Sequence, residues 1–236
     1  MDSLSDNPQP GYETPGALRR QTVDAMRWSV VAQVCRQVLQ VGTGLVITRL
    51  LLPSDFGVAG IVLLFYGLGA VLADFGFGPA LVQRKTVDDD HLKSVFWMQL
   101  CIGVLAFSLL TVGARGIASF YDEPMLVALC LATAPVLIVD SLAAVQRALL
   151  RREMRFRELA IVDLSTAAVG SIVGLSFAVA GAGVWALIAA NISTSLVATS
   201  ALWLAAGWRP TGRPTFVRVS LEELEKNVRE AFQLMR

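Results

Sequence analysis

An arginine and several amides share one face of an apolar segment near the N-terminus. The face is built from residues at steps of three and four, namely Gln33, Arg36, Gln37, Gln40, Gly44 and Thr48. On a helix such a spacing forms one polar stripe. An arginine near the centre of a membrane-spanning helix costs about 2.5–3.5 kcal/mol on insertion scales, so a segment selected for stability alone would not carry it. We therefore expect the stripe to face a water-filled lumen, where Arg36 offers a fixed positive charge to an anionic substrate.

Acidic side chains in the later apolar segments give Arg36 an alternative role. It could pair with Asp74, Asp140 or Asp163 for structure, or snorkel to the cytoplasmic interface. Asp74 is also a candidate lumen residue, and it opens Asp74–Pro79, whose two glycines and proline predict a kink or hinge. For the three acids, a cap or an ion pair with an arginine-rich loop is favoured over a role in proton coupling.

That loop holds a second group of candidate residues. Its candidate phosphate contacts are Arg147, Arg151, Arg152 and Arg155, with Arg157 beside them. Guanidinium groups bind phosphate bidentately, and a basic cluster at a cytoplasmic membrane surface suits phosphate or diphosphate headgroups. A loop that only sets membrane topology has the same composition, so both interpretations stand.

The sequence gives little support to catalysis, metal binding or nucleic-acid binding. The chain has no Walker-type phosphate loop, GxSxG or HExxH, and we expect no enzymatic activity, no cofactor and no metal site. A formal net charge of +1 gives no basic field for nucleic acid. The cysteines Cys35, Cys101 and Cys130 form no CxxC or Cys/His cluster, and we interpret them as buried small hydrophobic residues.

The elements that carry these residues are long apolar segments. A membrane span needs about 20 apolar residues to cross about 30 Å of hydrocarbon. The predicted spans cover Trp28–Leu52, Phe56–Ala73, Val95–Ala114, Met125–Gln146, about Ala160–Ala180 and Val184–Ala206. The last two are separated only by the glycine-containing stretch 180–183, which we interpret as a tight turn. The prediction is an all-α membrane protein with six transmembrane helices.

Lysine and arginine are distributed unevenly among the connections. One set of alternate loops, together with the terminal segments next to the spans (up to Arg218), holds fourteen of them, and the other set holds only Arg49 and Arg115. Because cytoplasmic loops carry the excess of positive residues, both termini are predicted to be cytoplasmic. The polar start of the chain contains no apolar signal-peptide core.

Three regions follow from this pattern. Residues 1–27 are expected to be a polar, flexible cytoplasmic N-terminus, residues 28–207 a six-helix transmembrane lobe, and residues 208–236 a cytoplasmic linker and helix. In the last region Ser220 and Glu223 form a capping box, followed by an apolar stripe at helical spacing. We expect a C-terminal amphipathic cytoplasmic helix there.

Several short motifs, in order along the chain, resemble those of one family. They are RLLLPSDFG at 49–57, DFGFGPALVQ at 74–83, FYDEP at 120–124, RREMRFR at 151–157, GAGVWAL at 181–187 and WRP at 208–210. Together they resemble the polysaccharide transporter family of bacteria, the Wzx-type flippases for lipopolysaccharide and exopolysaccharide. These transporters belong to the superfamily of the MATE multidrug exporters and the lipid II flippase.

The resemblance implies one lobe of a MATE-like flippase in the bacterial inner membrane. The implied substrate is an oligosaccharide linked to a polyprenyl diphosphate, a unit of exopolysaccharide, capsule or O-antigen, moved from the cytoplasmic to the periplasmic leaflet. Family members have about twice as many spans, in two facing lobes. We therefore expect the bilayer, the lipid-linked oligosaccharide and a second six-helix lobe as partners, the lobe coming from another chain or from a C-terminal half.

Two alternatives remain open. One is a non-transporting membrane subunit that scaffolds a polysaccharide-synthesis complex through its basic loop and tail helix. The other is a MATE-type small-molecule antiporter, which should show ion-driven drug efflux and sensitivity to changes such as Asp74→Asn.

Overall fold

The computed structural model describes the backbone over residues 15–74 and 89–210, and the side chains over 30–71 and 92–210. Within these ranges the chain forms helices and no strand. The helices are α1 (Pro15–Leu50), α2 (Pro53–Asp74), α3 (Asp89–Phe120), α4 (Met125–Arg152), α5 (Phe156–Val179) and α6 (Trp185–Ala206). All six are long and apolar enough to cross a membrane. The prediction of an all-α protein with six spans is confirmed.

Proline and glycine set several of the helix ends. Pro53 begins α2 directly after Leu52, because its ring fixes a helical φ and its missing N–H is not needed in the first turn. After α5, Gly181 and Gly183 have φ values of 76° and 56°, and Gly207 ends α6 at 66°. These are left-handed conformations that glycine adopts without strain, so the two-glycine turn between spans five and six is confirmed.

Some helix ends differ from the predicted span ends. α3 extends from Asp89 to Phe120, well beyond the uncharged segment Val95–Ala114. The reason is that a helix continues into the polar headgroup region as long as its residues favour helix, whereas hydropathy marks only the hydrocarbon part. In the same way α1 starts at Pro15, inside the stretch expected to be a flexible N-terminus. The motif at 75–83 and the tail helix expected after Ser220 lie outside the described residues.

Successive helices run up and down, and contacts at their ends show it. Phe96 near the start of α3 packs on Trp203 and Trp208 at the end of α6, with ring centroids 6.2 and 6.1 Å apart. Between α4 and α5, Arg155 donates a hydrogen bond of 2.8 Å to the Ala205 carbonyl, again at the end of α6. The arginine-rich connection therefore lies at the same end of the bundle as the start of α3 and the end of α6.

Small residues bring the helices into close contact. An added Cβ on Gly103 of α3 would lie 2.5 Å from the Ser141 hydroxyl of α4, and one on Gly170 of α5 would lie 2.4 Å from Thr194 Cγ2 of α6. Close approach of this kind lets helix backbones pack where no hydrophobic driving force exists between them in lipid. α1 packs mainly on α5, and near its end Ile47 joins a buried apolar cluster with Ala178 and Ala186.

Much of the bundle's surface is apolar. Val112 is 82% exposed and Leu204 is 85% exposed, and α1 presents a row of exposed valines. In water such a surface would favour aggregation, whereas lipid solvates it. The same setting corrects one expectation from the sequence: Cys130 is buried, but Cys35 and Cys101 are exposed on the outside of the bundle. An apolar segment in a membrane can be covered by lipid as well as by protein.

Candidate functional site: a polar cavity inside the bundle

An open cavity of 610 Å³ lies among α1, α2, α4, α5 and α6. Almost all of its lining is polar, although each contributing helix is mainly apolar. The lining residues are Gln33, Arg36, Gln40, Tyr66, Asp140, Arg147, Arg151, Asp163, Thr166, Ala167, Asn191, Thr194, Ser195 and Ala198. A polar surface of this extent inside a membrane protein implies a space filled with water or substrate.

On the α1 side, the predicted stripe contributes Gln33, Arg36 and Gln40 to the cavity. The Arg36 guanidinium donates a hydrogen bond of 2.7 Å to the Gln33 side-chain oxygen, and its Nε is buried without a hydrogen-bond partner. No carboxylate among the described residues pairs with Arg36. Its charge is therefore available to a ligand, as the lumen hypothesis requires.

The rest of the stripe is placed differently. A smaller cleft of 230 Å³ lies further along α1 and is lined by Gln40, Thr43 and Gly44. Of these, Gln40 lines the larger cavity as well. Gln37 is exposed on α1 and lines neither this cleft nor the larger cavity. Asp74 ends α2, and its side chain lies outside the described residues.

On the opposite wall of the cavity, the Asp140 carboxylate connects side chains from three helices. The Tyr66 hydroxyl of α2 donates a hydrogen bond to the Asp140 carboxylate of α4, and the Ser195 hydroxyl of α6 lies beside both groups. Asn191, one helical turn before Ser195, leaves its side-chain oxygen buried without a partner. Asp140 therefore forms a hydrogen bond with a hydroxyl in the cavity wall, and among the described residues it makes no direct ion pair with an arginine of the loop.

At the arginine-rich end of the cavity, one ion pair crosses between α4 and α5. Arg147 contacts Asp163 at 3.1 Å, with both side chains about one third exposed. This agrees with the interpretation of Asp163 as an ion-pair partner of the loop. Arg151, one turn after Arg147, lines the cavity without an ion pair among the described residues.

Arg155, another candidate phosphate contact, ties the α4–α5 connection to its surroundings. It donates hydrogen bonds to Glu158 and to Glu153, the latter at 3.1 Å, as well as to the Ala205 carbonyl. The hydrogen bonds to Glu158 and Glu153 raise the pKa of the Arg155 guanidinium, so it remains charged. Arg155 and Arg152 do not line the polar cavity. Their proposed contact with phosphate stays a prediction.

Sequence reasoning missed part of this site. Tyr66 carries no sequence signal, because a lone tyrosine in an apolar span is usual near a membrane interface. Asn191, Thr194 and Ser195 form a visible polar face on α6, which from sequence is best explained by helix packing. Thr199 does pack in that way, donating a hydrogen bond of 3.1 Å to the Val139 carbonyl of α4. Asn191, Thr194 and Ser195 line the cavity instead.

The side chains that line the cavity are of the types that bind polar anions. Its amides and hydroxyls both donate and accept hydrogen bonds, as sugar hydroxyl groups require of a partner, and its arginines attract phosphate. Among the described residues, no three His, Cys, Asp or Glu side chains lie close enough to hold a metal ion.

Comparison with known proteins connects this architecture to one family. The family model described as "Polysaccharide biosynthesis protein" matches residues 46–228. Among curated proteins, the chain is 26% identical over 223 residues to an uncharacterized membrane protein in the cps region of Klebsiella pneumoniae, covering 92% of this chain.

Two further relatives have names that state a role. The succinoglycan biosynthesis transport protein ExoT of Rhizobium meliloti is 25% identical over 84% of this chain, and the lipopolysaccharide biosynthesis protein WzxC of Escherichia coli is 26% identical over 90%. The chain spans only 44%, 40% and 43% of the lengths of these three relatives. No solved structure shows significant similarity to it.

Proposed function

This chain belongs to the polysaccharide biosynthesis protein family, and on that premise we propose that it is one lobe of a flippase. Its substrate is an oligosaccharide linked to a polyprenyl diphosphate, which it moves across the bacterial inner membrane from the cytoplasmic leaflet. The match over residues 46–228 and the relatives named for polysaccharide transport and biosynthesis support this proposal. Both termini lie in the cytoplasm, in agreement with the excess of lysine and arginine at that end. The lobe performs transport and no covalent chemistry.

The observation that carries the proposal is the polar cavity with an unpaired arginine. Arg36 costs free energy to place in a membrane-spanning helix and has no acidic partner among the described residues. A phosphate group of a substrate offsets that cost when it binds, while the amides and hydroxyls of the cavity wall accept the glycan. A helix bundle that served only as a scaffold would have no need of a charged, open cavity.

The open side of the cavity faces a second lobe in this proposal. α1 carries the polar stripe yet packs mainly on α5, so Gln33 and Gln40 remain exposed on a face that six helices leave uncovered. A lumen closes when another six-helix lobe, in the same polypeptide or another chain, covers that face. Rocking of two lobes about the lumen would expose it to one leaflet and then to the other.

Deletion of the gene and complementation test this function. The proposal predicts that the deletion abolishes a surface polysaccharide and that undecaprenyl-linked repeat units accumulate in the cell. Complementation with the full-length gene should restore export. A deletion strain with normal polysaccharide would contradict the proposal. Loss of polysaccharide without accumulated lipid-linked units would instead favour the scaffold alternative, because synthesis, and not transport, would have failed.

A further inference from the structure

A second cleft, of 510 Å³, lies beside the polar cavity, between α1 and the start of α5. We call it the α1–α5 cleft. Its walls are mainly apolar and come from Ala32 of α1, Met154 of the α4–α5 connection, and Phe156, Leu159 and Ala160 of α5. The small side chains of Ala32 and Ala160 leave an open space, and the larger apolar side chains surround it. Such a cleft suits a hydrocarbon chain.

The α1–α5 cleft and the polar cavity meet at shared residues. Gln33, Arg36, Arg151 and Asp163 line both spaces. Asp163 is already neutralised by Arg147 at 3.1 Å. Arg36 keeps a buried Nε without a partner, and Arg151 has no ion pair in the described part of the chain. Two guanidinium groups with free donors therefore stand where an apolar space becomes a polar one.

The depth of this junction matches that of a lipid headgroup. Arg151 and Met154 lie where α4 ends and the connection to α5 begins, at one end of the bundle. Arg36 lies eight residues beyond Trp28, where the first predicted span begins, which is about 12 Å along the helix axis. The two arginines therefore bracket the boundary between headgroups and hydrocarbon in one leaflet.

We propose that the α1–α5 cleft is the lateral entry site for the lipid part of the substrate. The hydrocarbon chain lies in the cleft, Arg36 and Arg151 bind its phosphate group, and the attached glycan projects into the polar cavity. A long apolar chain cannot enter the polar cavity without a large desolvation cost, whereas the cleft lets it stay beside the bilayer. This inference rests on the proposed function, and it assigns separate places to the parts of that substrate.

The test of the cleft uses photo-crosslinking. The full-length protein is placed in nanodiscs of phosphatidylcholine, which supply no competing anionic lipid, with a polyprenyl phosphate that bears a diazirine on its chain. Labelling is expected on the peptide that contains Met154–Ala160. Ala160→Trp should fill the cleft and lower this labelling about tenfold. Ile161→Trp is the matched control, because Ile161 is 58% exposed and lies outside the cleft, and it should label as the wild type does.

A second pair of variants distinguishes a filled cleft from a misfolded protein. Ala32→Trp fills the cleft from α1, and Val31→Trp is its control on an exposed position. Equal labelling in the filled and control variants of both pairs would overturn the entry site. If export and the accumulation phenotype then still match the proposed function, the flippase assignment stands and only the route between α1 and α5 falls.

The phosphate is tested separately. Arg36→Gln with Arg151→Gln should lower the labelling about tenfold, because charge-assisted bidentate hydrogen bonds are lost, whereas Arg157→Gln should not. An uncharged polyprenol carrying the same diazirine should label at least about tenfold less than the phosphate. Equal labelling by the polyprenol would overturn the role of the arginines. Displacement of the probe by millimolar inorganic phosphate alone would show a simple anion site and would overturn the lipid assignment.

Discussion

Arg36 costs free energy to place in a membrane span and has few side-chain partners there. It lies inside the first membrane span, it donates to the neighbouring Gln33, and no described carboxylate neutralises it. The contrast with Arg147 is instructive, because Arg147 lies at the end of the bundle and forms an ion pair with Asp163. The structure thus separates one arginine that stabilises the fold from one that remains available for a ligand. Two predictions belong at this scale.

The first prediction concerns Arg36 itself. Arg36→Gln should insert and fold normally but reduce export of the polysaccharide about tenfold or more, because a hydrogen bond to a charged group contributes about 1.5–3 kcal/mol. Export is measured as surface polysaccharide in a deletion strain that expresses the variant. Val38→Ala, at an exposed apolar position of the same helix, is the control and should export normally. Full export by Arg36→Gln would show that the charge only sets topology.

The second prediction concerns the contact between Tyr66 and Asp140. Tyr66→Phe and Asp140→Asn should each lower the free energy of unfolding, and the double variant should lose less than the sum. Hydrogen bonds between membrane helices average about 0.6 kcal/mol and reach about 1.7 kcal/mol, so the coupling energy should fall in that range. Thermal unfolding in detergent measures it. Strict additivity would mean that the two side chains do not interact in the folded protein.

At the scale of the elements, close helix contacts decide which faces remain for the cavity. α3 approaches α4 at Gly103 and Ser141, and α5 approaches α6 at Gly170 and Thr194. α6 is also held to α4 by the Trp203 indole, which donates a hydrogen bond of 3.0 Å to the Leu142 carbonyl. With these faces occupied, the polar residues of α4, α5 and α6 converge on one side, where α1 completes the wall.

The third prediction tests the α3–α4 contact. Gly103→Ala should destabilise the protein by about 1–3 kcal/mol, because its Cβ would overlap Ser141 and force the helices apart. Gly113→Ala is the matched control on the same helix, since no atom lies within 4 Å of its added Cβ. The control should be neutral or slightly stabilising, because alanine favours helix over glycine. If both variants had the same melting temperature, α3 and α4 would not pack as described.

At the scale of the whole molecule, the arginine-rich connection, the end of α6 and the start of α3 gather at one end of the bundle. The distribution of lysine and arginine predicts that this end lies on the cytoplasmic side of the membrane. The proposed second lobe and the lateral entry of the lipid both depend on this orientation. If the arginine-rich end faced the periplasm, the phosphate contacts would lie in the wrong leaflet for a cytoplasmic substrate.

The fourth prediction therefore concerns orientation. Single cysteines are introduced at Glu153 and Ala180, at opposite ends of the bundle, after Cys35, Cys101 and Cys130 are changed to alanine. A membrane-impermeant thiol reagent should label Ala180→Cys in cells with a permeabilised outer membrane. It should label Glu153→Cys only after the inner membrane is also opened. The reverse pattern would place the termini in the periplasm and contradict the proposed direction of transport.

Most of the helical architecture could be predicted from the sequence. Hydropathy located six spans, because the number of apolar residues needed to cross a bilayer is fixed by its thickness. The three-to-four-residue spacing also predicts one polar face for Gln33, Arg36, Gln37 and Gln40. All of these except Gln37 line the polar cavity. Their role in binding a substrate remains a prediction.

Which polar residues meet across the bundle was decided only by tertiary structure. Tyr66, Asp140 and Ser195 are far apart in the sequence, and periodicity within one helix cannot show which neighbour its polar face will contact. For the same reason, the sequence could not show that Arg151 lines the cavity whereas Arg155 binds nearby carboxylates. Local spacing determines the faces of each helix, but helix packing determines which faces enclose a common space.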